Sequence, residues 1–407
     1  MVLTLSQILR QRADEQPRTL AYAFLKNGHT PDGELSYAEL DDRARRLAAF
    51  LLEGEPPAGE SGGDGERLLL LFPAGLDVPV AFFGCLAAGK VAVPAPPPET
   101  AHLRRALPRL QAIVEDCGAR RVLTTRAIAE AMVGLGEQLP LELQQLEWIE
   151  LAAVVGDGSA ESPASPTRIL PMPTPDQLAY LQYTSGSTSA PRGAAINHGQ
   201  LLANCRAANG AWGYDDQAVA VNWMPYFHDY GLVEGLIQPL YAGIPCHLMS
   251  PLAFLKRPDR WLRLISNERA THSSAPNFAY EHCLRLVKDK QLEGVDLSSW
   301  RTAGIGAEVI RPATLERFAE RFAPFGFKRS TFYPSYGLAE STLLVATKQP
   351  GEPTILHVDA EALRQDRAVS VEPGPKARAL VGCGRALPDH RAVIVDPMEN
   401  DGIRLFD

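Results

Sequence analysis

The sequence lacks the features by which membrane-spanning, secreted and metal-rich proteins are recognised. Its longest apolar run, residues 78–89, is shorter than the roughly 20 residues that a membrane-spanning helix needs. The N-terminal residues become polar and charged too early for a signal peptide. The six cysteines form no CxxC pair or other metal-like spacing, so we expect buried, reduced thiols rather than a disulfide or zinc framework. These absences predict a cytoplasmic protein without a membrane span.

Positive charge is also in short supply. The chain of 407 residues has 40 Lys and Arg against 48 Asp and Glu, and its formal net charge is −8. This balance argues against nucleic acid or an anionic membrane as the main partner, but it leaves room for a local basic pocket that binds phosphate. Hydrophobic residues make up 45% of the chain and charged residues 22%, as in an ordinary globular protein of more than one structural unit.

Strand-like and helix-like segments alternate through most of the chain. The stretch "SYAELDDRARRLAAFLLEG" predicts a helix that opens with Ser36 and Glu39 in capping-box register. Strands are predicted at residues 68–72, 91–94, 121–125, 148–155, 218–225 and 377–381, with a further candidate in "RAVIV" at 391–395. The alternation predicts an α/β fold with helix-covered, largely parallel sheets, followed from about residue 346 by a small β-rich part.

A dense group of small hydroxyl residues lies in "LQYTSGSTSAPRGAAINHG", residues 181–199. The group follows a predicted strand and precedes a helical pattern, and a turn of this kind can point backbone N–H groups and hydroxyls at a phosphate chain. It is not a Walker A loop, because no Gly-Lys-Ser/Thr follows at that spacing. An ordinary surface loop is the alternative interpretation.

Five stretches, in the same order along the chain, resemble the motifs of the adenylate-forming (acyl-activating) superfamily. They are "YTSGSTSAPRG" at 183–193, "WMPYFHDYGL" at 223–232, "SSAPNFAYEHC" at 273–283, "GIGAEVI" at 304–310 and "YPSYGLAEST" at 333–342. Their details, and an inserted motif at residues 347–380, are most similar to the fatty acyl-AMP ligase branch. A fatty acyl-CoA ligase is the second reading, and a nucleotide- or acyl-binding module without turnover is the third.

The resemblance implies an N-terminal adenylation domain over residues 1–407. Two α/β subdomains would occupy about residues 1–345, and a β-rich part with the inserted motif would follow. The C-terminal domain of the family is expected to be absent, so the isolated chain would have low activity. The implied reaction is the ATP- and Mg²⁺-dependent activation of a fatty acid to acyl-adenylate, with release of pyrophosphate. The acyl group would pass to the phosphopantetheine thiol of an acyl carrier protein.

Site residues follow from the same resemblance. The phosphates would be held by Thr184, Ser185, Gly186, Ser187 and Thr188. The adenylate would contact Gly306, Ala307, Glu308, Ser335, Tyr336 and Gly337, with Tyr336 stacked on adenine. Glu340, with Thr188 nearby, would hold Mg²⁺, and His228 would lie beside the α-phosphate and the carboxylate. Arg192 stands where the family usually has Lys, and its guanidinium can still grip a phosphate.

The acyl chain needs an apolar channel. The residues implied for it are Trp223, Met224, Phe227, Asp229, Tyr230, Gly231, Asn277, Phe278 and Tyr280. The aromatic members can equally be ordinary core, and Asp229 can equally be a helix cap. We also expect the inserted motif to pack on the large domain, because it contains apolar residues such as Ile355 and Val358 between turn-rich flanks.

Overall fold

The helices and strands of the computed structural model are described here for residues 4–54, 65–98, 103–156, 170–184, 191–388 and 390–393. The strands are β1 (Leu20–Lys26), β2 (Thr30–Ser36), β3 (Arg67–Leu71), β4 (Val91–Pro94), β5 (Arg121–Thr124), β6 (Glu147–Glu150), β7 (Leu178–Thr184), β8 (Arg192–Asn197), β9 (Ala220–Asn222), β10 (Cys246–Met249), β11 (Ala275–Pro276), β12 (Ala303–Gly306), β13 (Phe332–Gly337), β14 (Leu344–Thr347), β15 (Ile355–Asp359), β16 (Ala377–Val381) and β17 (Arg385–Ala386).

The helices lie between these strands and cover the sheets. They are α1 (Leu5–Glu15), α2 (Tyr37–Leu51), α3 (Asp77–Ala87), α4 (Leu103–Cys117), α5 (Arg126–Val133), α6 (Leu141–Gln144), α7 (Leu151–Val155), α8 (His198–Trp212), α9 (Gln238–Ala242), α10 (Pro251–Lys256), α11 (Asp259–Asn267), α12 (Asn277–Leu286), α13 (Pro312–Phe322) and α14 (Ala360–Arg364). A π-helical segment, Tyr230–Ile237, precedes α9 directly.

Three larger sheets and one small sheet organise the described residues. Their strand orders are β6-β5-β3-β4-β7-β8, β2-β1-β10-β9, β11-β12-β13-β14-β17 and β15-β16. Most neighbouring pairs in the three larger sheets are parallel. The pairs β7–β8, β1–β2, β13–β14 and β14–β17 are antiparallel. The predicted α/β class with largely parallel, helix-covered sheets is confirmed.

Local sequence signals account for several of these elements. Helix α2 begins with the predicted capping box, in which Ser36 N–H donates to the Glu39 carboxylate (2.8 Å) and Glu39 N–H donates to Ser36 Oγ (3.3 Å). Helix α3 is apolar on all sides and is correspondingly buried almost throughout. Strands β3 and β4, which it connects, are parallel neighbours inside the same core.

Three sequence predictions of secondary structure need correction. The strand expected at 148–155 ends at Glu150, and the remaining residues form the short helix α7. The strand expected at 218–225 is limited to β9, because the chain turns at Trp223–Pro225. Of "RAVIV", residues 391–393 belong to no strand, and 394–395 lie outside the described residues.

The hydroxyl-rich stretch lies between two strands, not between a strand and a helix. Strands β7 and β8 pair in antiparallel fashion, with Thr184 opposite Arg192, and helix α8 begins only at His198. Helix α8 therefore does not directly follow the hydroxyl-rich residues, contrary to the sequence prediction. The predicted phosphate ligands Ser185, Gly186, Ser187 and Thr188 lie outside the described residues.

All six cysteines are free thiols, as predicted, although they are not equally buried. Five are buried and Cys383 is only partly buried. Burial raises the pKa of the Cys85 thiol well above its ordinary value, which disfavours the reactive thiolate. Among the described helices, none combines the length and the apolar character that a membrane crossing requires.

Two buried histidines make the fold sensitive to acid. His272 Nε2–H donates to the Trp212 carbonyl (3.0 Å), and its ring stacks on Tyr214 with centroids 4.0 Å apart. Burial lowers the pKa of both His198 and His272 to about 4. Because the unfolded chain takes up these protons near pH 6.5, each histidine should cost about 2 kcal/mol of unfolding free energy between pH 7 and pH 5.

The expected result is that the His198→Gln/His272→Gln double variant loses less stability on acidification than the parent does. Urea unfolding at pH 7 and pH 5 measures the difference within each protein, so the fixed cost of lost packing cancels. Glu234, whose pKa is raised to about 7 by burial, acts in the opposite direction and is common to both proteins. Equal losses in parent and variant would contradict the assignment.

Candidate active site

A cavity of about 460 Å³ opens at the carboxyl ends of β7, β12 and β13. It is lined by Arg109, Gln182, Tyr183, Thr184, Trp212, Pro225, Phe227, His228, Asp229, Tyr230, Gly306, Ala307, Ser335, Tyr336, Gly337, Leu338, Ala339, Glu340, Leu343 and Leu344. The carboxyl ends of parallel strands are where ligands bind in open α/β sheets, and the volume suits a ligand of nucleotide size. Four of the five sequence motifs contribute to this lining.

The ends of β12 and β13 form one wall of the cavity. Tyr336 is 55% exposed, so its ring face is available to a planar ligand. Ser335 is buried, and its hydroxyl lies 2.8 Å from Thr347 Oγ1, which holds the end of β13 against β14. Gly337 has no room for a side chain, because a Cβ there would lie 1.9 Å from the Leu343 carbonyl oxygen. Ala307, at φ +62°, turns the chain away at the end of β12.

The turn that carries His228 forms a second wall, and two neighbouring elements fix it. Buried Tyr226 accepts a hydrogen bond from Phe72 N–H (2.8 Å) through its hydroxyl, which ties the turn to the end of β3. Gln182 Nε2 donates to the Phe227 carbonyl (2.9 Å), which ties it to β7. Gly231 serves this turn rather than the cavity, because a Cβ there would lie 2.2 Å from the Pro225 carbonyl oxygen.

His228 is oriented by the next residue. Its Nδ1 lies 2.7 Å from Asp229 Oδ1, and the same carboxylate oxygen accepts a hydrogen bond from Tyr230 N–H (2.7 Å). When both ring nitrogens carry protons, Nδ1–H donates to Asp229 and Nε2–H can donate to a ligand. Half of the His228 side chain is exposed. Asp229 thus orients the imidazole and caps the π-helical segment, as the alternative sequence interpretation proposed.

Glu340 is an exposed carboxylate on the cavity wall, and no residue of the described chain forms an ion pair with it. The described residues contain no group of three or more His, Cys, Asp or Glu side chains able to hold a metal ion. These residues therefore do not fit a metal site in which every ligand comes from the protein. They fit Mg²⁺ held by one carboxylate together with phosphate oxygens and water, which is the usual arrangement for this ion beside a nucleotide.

The residues implied for the acyl chain divide into two groups. Phe227, Asp229 and Tyr230 line the cavity. Trp223 and Tyr280 belong to the aromatic core: Trp223 stacks on Phe254 with centroids 3.8 Å apart, and the fully buried Tyr280 donates to the Gly304 carbonyl (2.9 Å).

Met224, Asn277 and Phe278 also lie outside the lining of this cavity. Met224 is buried, and its N–H donates to Asn222 Oδ1 (2.9 Å). Asn277 Oδ1 accepts a hydrogen bond from Arg311 N–H (3.0 Å). Phe278 is 43% exposed at the start of α12. The acyl assignment of these three residues stays a prediction.

Two residues implied for the nucleotide are also outside the lining. Glu308 accepts a hydrogen bond from Phe278 N–H (2.6 Å) and so links the end of β12 to α12. Arg192 is exposed at the start of β8, opposite Thr184. Thr184 is the last described residue before the hydroxyl-rich connection, and it does line the cavity.

The chain is similar to known proteins over most of its length. The sequence matches the AMP-binding enzyme family over residues 9–403. This chain belongs to that family. The match covers all of the described fold except residues 4–8. The tyrosine, carboxylate and imidazole of the cavity lie in the motifs whose resemblance pointed to this family.

Among relatives of this AMP-binding protein is the medium-chain-fatty-acid–[acyl-carrier-protein] ligase JamA of Moorena producens, 46% identical over 97% of this chain and 65% of JamA. A 4-hydroxyphenylalkanoate adenylyltransferase of Mycobacterium tuberculosis is 36% identical over 98% of this chain and 63% of its own length. A solved fatty acyl-adenylate ligase from L. pneumophila, in complex with acyl adenylate and pyrophosphate, has a TM-score of 0.84 at 34% identity, over 97% of this chain and 65% of that one. The chain thus spans somewhat less than two thirds of these relatives.

The cavity of this AMP-binding protein also contains residues that the sequence analysis missed. Arg109, on α4, is exposed at the cavity, and no carboxylate of the described residues pairs with it. Its guanidinium adds a positive charge to the cavity that Thr184 also lines. Gln182 is buried at the base of the cavity, next to the His228 turn. Arg109 lies far from every motif in the sequence, so only the packing of α4 reveals it, whereas Gln182 is adjacent to the hydroxyl-rich stretch.

Proposed function

We propose that this protein activates a fatty acid by forming its acyl-adenylate from ATP. One observation carries the proposal: a single cavity joins a stacking ring (Tyr336), an unpaired carboxylate (Glu340) and an oriented imidazole (His228) at the carboxyl ends of parallel strands. These are the groups that adenine, a metal-bound triphosphate and a reacting carboxylate require.

The reaction is an in-line displacement at the α-phosphorus of ATP. A carboxylate oxygen of the acid forms the new P–O bond, the bond to the β-phosphate oxygen breaks, and pyrophosphate leaves. Positioning and charge stabilisation account for most of the catalysis in such a transfer. In its imidazolium form, with Nδ1–H held by Asp229, His228 can donate Nε2–H to the charge that develops on the α-phosphate. Glu340 would hold Mg²⁺, and the bound ion would neutralise negative charge on the phosphates.

The names of the relatives support the substrate and acceptor that we propose. JamA is named as a medium-chain fatty acid ligase acting on an acyl carrier protein, and a second relative from Teredinibacter turnerae carries the same description. We therefore propose a fatty acid as substrate and the phosphopantetheine thiol of a carrier protein as acceptor. The six free thiols support a reducing, cytoplasmic location.

The inserted motif supports a carrier protein over CoA as the acceptor. Strand β15 of the inserted motif pairs with β16, which ends at Val381 just beyond residue 380, and Ile355 and Val381 pack against the main core. We propose that residues 1–345 and the β-rich part that follows act as one adenylation unit, in which the docked motif limits later domain rotation. A fatty acyl-CoA ligase, which would pass the same acyl group to CoA, is the second candidate.

Two variants test the nucleotide site. We expect Tyr336→Ala to weaken AMP binding about tenfold with or without Mg²⁺, because stacking on an aromatic ring contributes about 1–3 kcal/mol per base. Glu340→Ala should leave AMP binding nearly unchanged and remove the gain in ATP affinity that Mg²⁺ gives the parent. Calorimetry with AMP, and with ATP at several Mg²⁺ concentrations, measures both effects.

Glu316→Ala is the matched control for Glu340→Ala, since Glu316 is an exposed carboxylate paired with Arg329 outside the cavity. Affinities equal to the parent's in both site variants, whatever the Mg²⁺ concentration, would refute the nucleotide assignment. Detection of acyl-AMP by mass spectrometry, from ATP and a panel of fatty acids, tests the reaction itself.

A further inference from the structure

A buried carboxyl group lies behind the cavity, and the proposed reaction does not use it. Glu234, in the middle of the π-helical segment, is 5% exposed. Its Oε1 accepts a hydrogen bond from Ser274 Oγ (2.9 Å). No cation of the described residues pairs with it, and burial raises its pKa to about 7. A carboxyl group is costly to keep in such a place without a role.

Tyr230 connects this carboxyl group to the cavity. Tyr230 lines the cavity, and its hydroxyl is buried next to the Ser274 side chain. A Cβ built on Gly304 would lie 2.9 Å from Tyr230 Oη and 2.3 Å from Ser274 Oγ, so the two oxygens converge on one point of β12. Gly306, two residues further along β12, is part of the cavity lining. The polar group therefore begins directly behind the cavity wall.

A third hydroxyl, that of Tyr214, is buried without a partner among the described residues. Burial, and after it the nearby Glu234 carboxylate, raises the pKa of Tyr214. Buried polar groups are nearly always paired, with protein, water or ligand. Tyr214, Tyr230 and Glu234 thus form a polar region inside a core that is otherwise apolar.

Two other aromatic residues of the cavity are engaged in hydrogen bonds away from this region, which leaves Phe227 and Tyr230 as the aromatic wall for an acyl chain. Trp212 Nε1–H donates to Thr347 Oγ1 (3.0 Å), which is bonded to Ser335 on the nucleotide wall. Tyr183 donates to Asp116 through a short hydrogen bond, away from the His228 turn. Phe227 and Tyr230 are left to wall the part of the cavity next to His228, where the carboxylate of the acid would react.

We propose that Glu234, with Ser274 and Tyr230, closes the inner end of the acyl site with hydrogen-bonding groups and so limits the length of alkyl chain that this protein accepts. The inference rests on the proposed function, since it needs an acyl chain in the cavity. A methylene buried against an apolar wall improves binding about fourfold. A methylene pushed against Glu234 instead covers polar atoms to which it offers no hydrogen bond, so the gain per methylene ends there.

The test measures affinity as a function of chain length in this 407-residue protein. Non-hydrolysable acyl-adenylate analogues with hexanoyl, decanoyl and tetradecanoyl chains are titrated by calorimetry. We expect the affinity of the parent to stop rising, or to fall, above a certain chain length. At the same chain length the affinity of Glu234→Ala should still rise, by up to about fourfold per added methylene. Glu234→Gln, which keeps both volume and polarity, should retain the parent's limit.

Glu234→Leu keeps the volume, removes the polar group and leaves no cavity, so it answers the same question if Glu234→Ala does not fold. Its affinity for the long analogue should also exceed the parent's. The same dependence on chain length in the parent and in the folded variants overturns the inference. Failure of the parent to bind any analogue is a different result, which overturns the proposed function instead.

Discussion

Replacing His228 by Ala should lower the rate of acyl-adenylate formation by about 10²–10³-fold, which is the usual cost of losing one donor to a developing oxyanion. Binding of AMP should change little, because Tyr336 and the ends of β12 and β13 remain in place. The physical reason is that Asp229 accepts from Nδ1–H of the imidazolium, whose Nε2–H is then free to donate to the α-phosphate. Single-turnover formation of acyl-AMP, followed by mass spectrometry with protein in excess over ATP, measures the rate.

Two further variants separate a catalytic role for His228 from a structural one. His228→Gln keeps an N–H donor and should recover part of the lost rate. His282→Ala is the matched control, because His282 lies on α12, outside the cavity, and bonds the Leu255 carbonyl (2.9 Å). A parent-like rate in His228→Ala would show that the imidazole stabilises no charge in the reaction.

Local signals predicted the fold well where the pairing partners are close in sequence or the pattern is strong. The capping box of α2 depends on two residues, Ser36 and Glu39, and its geometry is as expected. Strand β8, "RGAAIN", was missed because alanine and glycine give no strand signal. The strand forms because its backbone pairs with β7, and a local sequence pattern does not reveal this pairing.

The cavity likewise contains some residues that local motifs identify and others that only tertiary packing brings there. Tyr336, Glu340 and His228 lie in contiguous motifs and line one cavity, while their roles in binding and catalysis stay predictions. Arg109 reaches the cavity only through the packing of α4, which no motif contains. An aromatic residue such as Tyr280 has the same composition whether it lines a channel or fills a core. Its complete burial next to Trp261 and Phe318 depends on helices distant in sequence, and these could not be read from the motif.

Removing the inserted motif should allow this protein to form acyl-CoA. The motif is held at its base, where Lys348 Nζ donates to the Ser330 carbonyl (2.8 Å) and lies 4.2 Å from the centre of the Tyr333 ring. Burial lowers the pKa of Lys348 to about 8. Arg329 adds an ion pair to Glu352 (2.8 Å). A segment fixed in this way can obstruct a rotating domain, whereas a free loop would yield to it.

The deletion can be made without disturbing the sheet beneath it. Strands β15 and β16 pair from end to end, and Gly382 N–H donates to the Thr354 carbonyl (2.9 Å). A two-residue turn can therefore join Thr354 to Gly382 in place of residues 355–381. The test uses a chimera in which this chain is joined to the region that JamA possesses beyond the match. With ATP, fatty acid and CoA, acyl-CoA should appear or increase, while formation of acyl-AMP continues.

Milder variants determine whether docking, rather than the mere presence of the segment, is the cause. Ile355→Asp and Val381→Asp place charges where the motif packs against the core, so they should release it and also raise acyl-CoA formation. Leu356→Ser and Val369→Ser alter exposed apolar residues of the same motif and should have no effect. If the deletion leaves adenylation intact and yields no acyl-CoA, the docked motif does not select the acceptor, and carrier specificity must reside in contacts with the carrier protein itself.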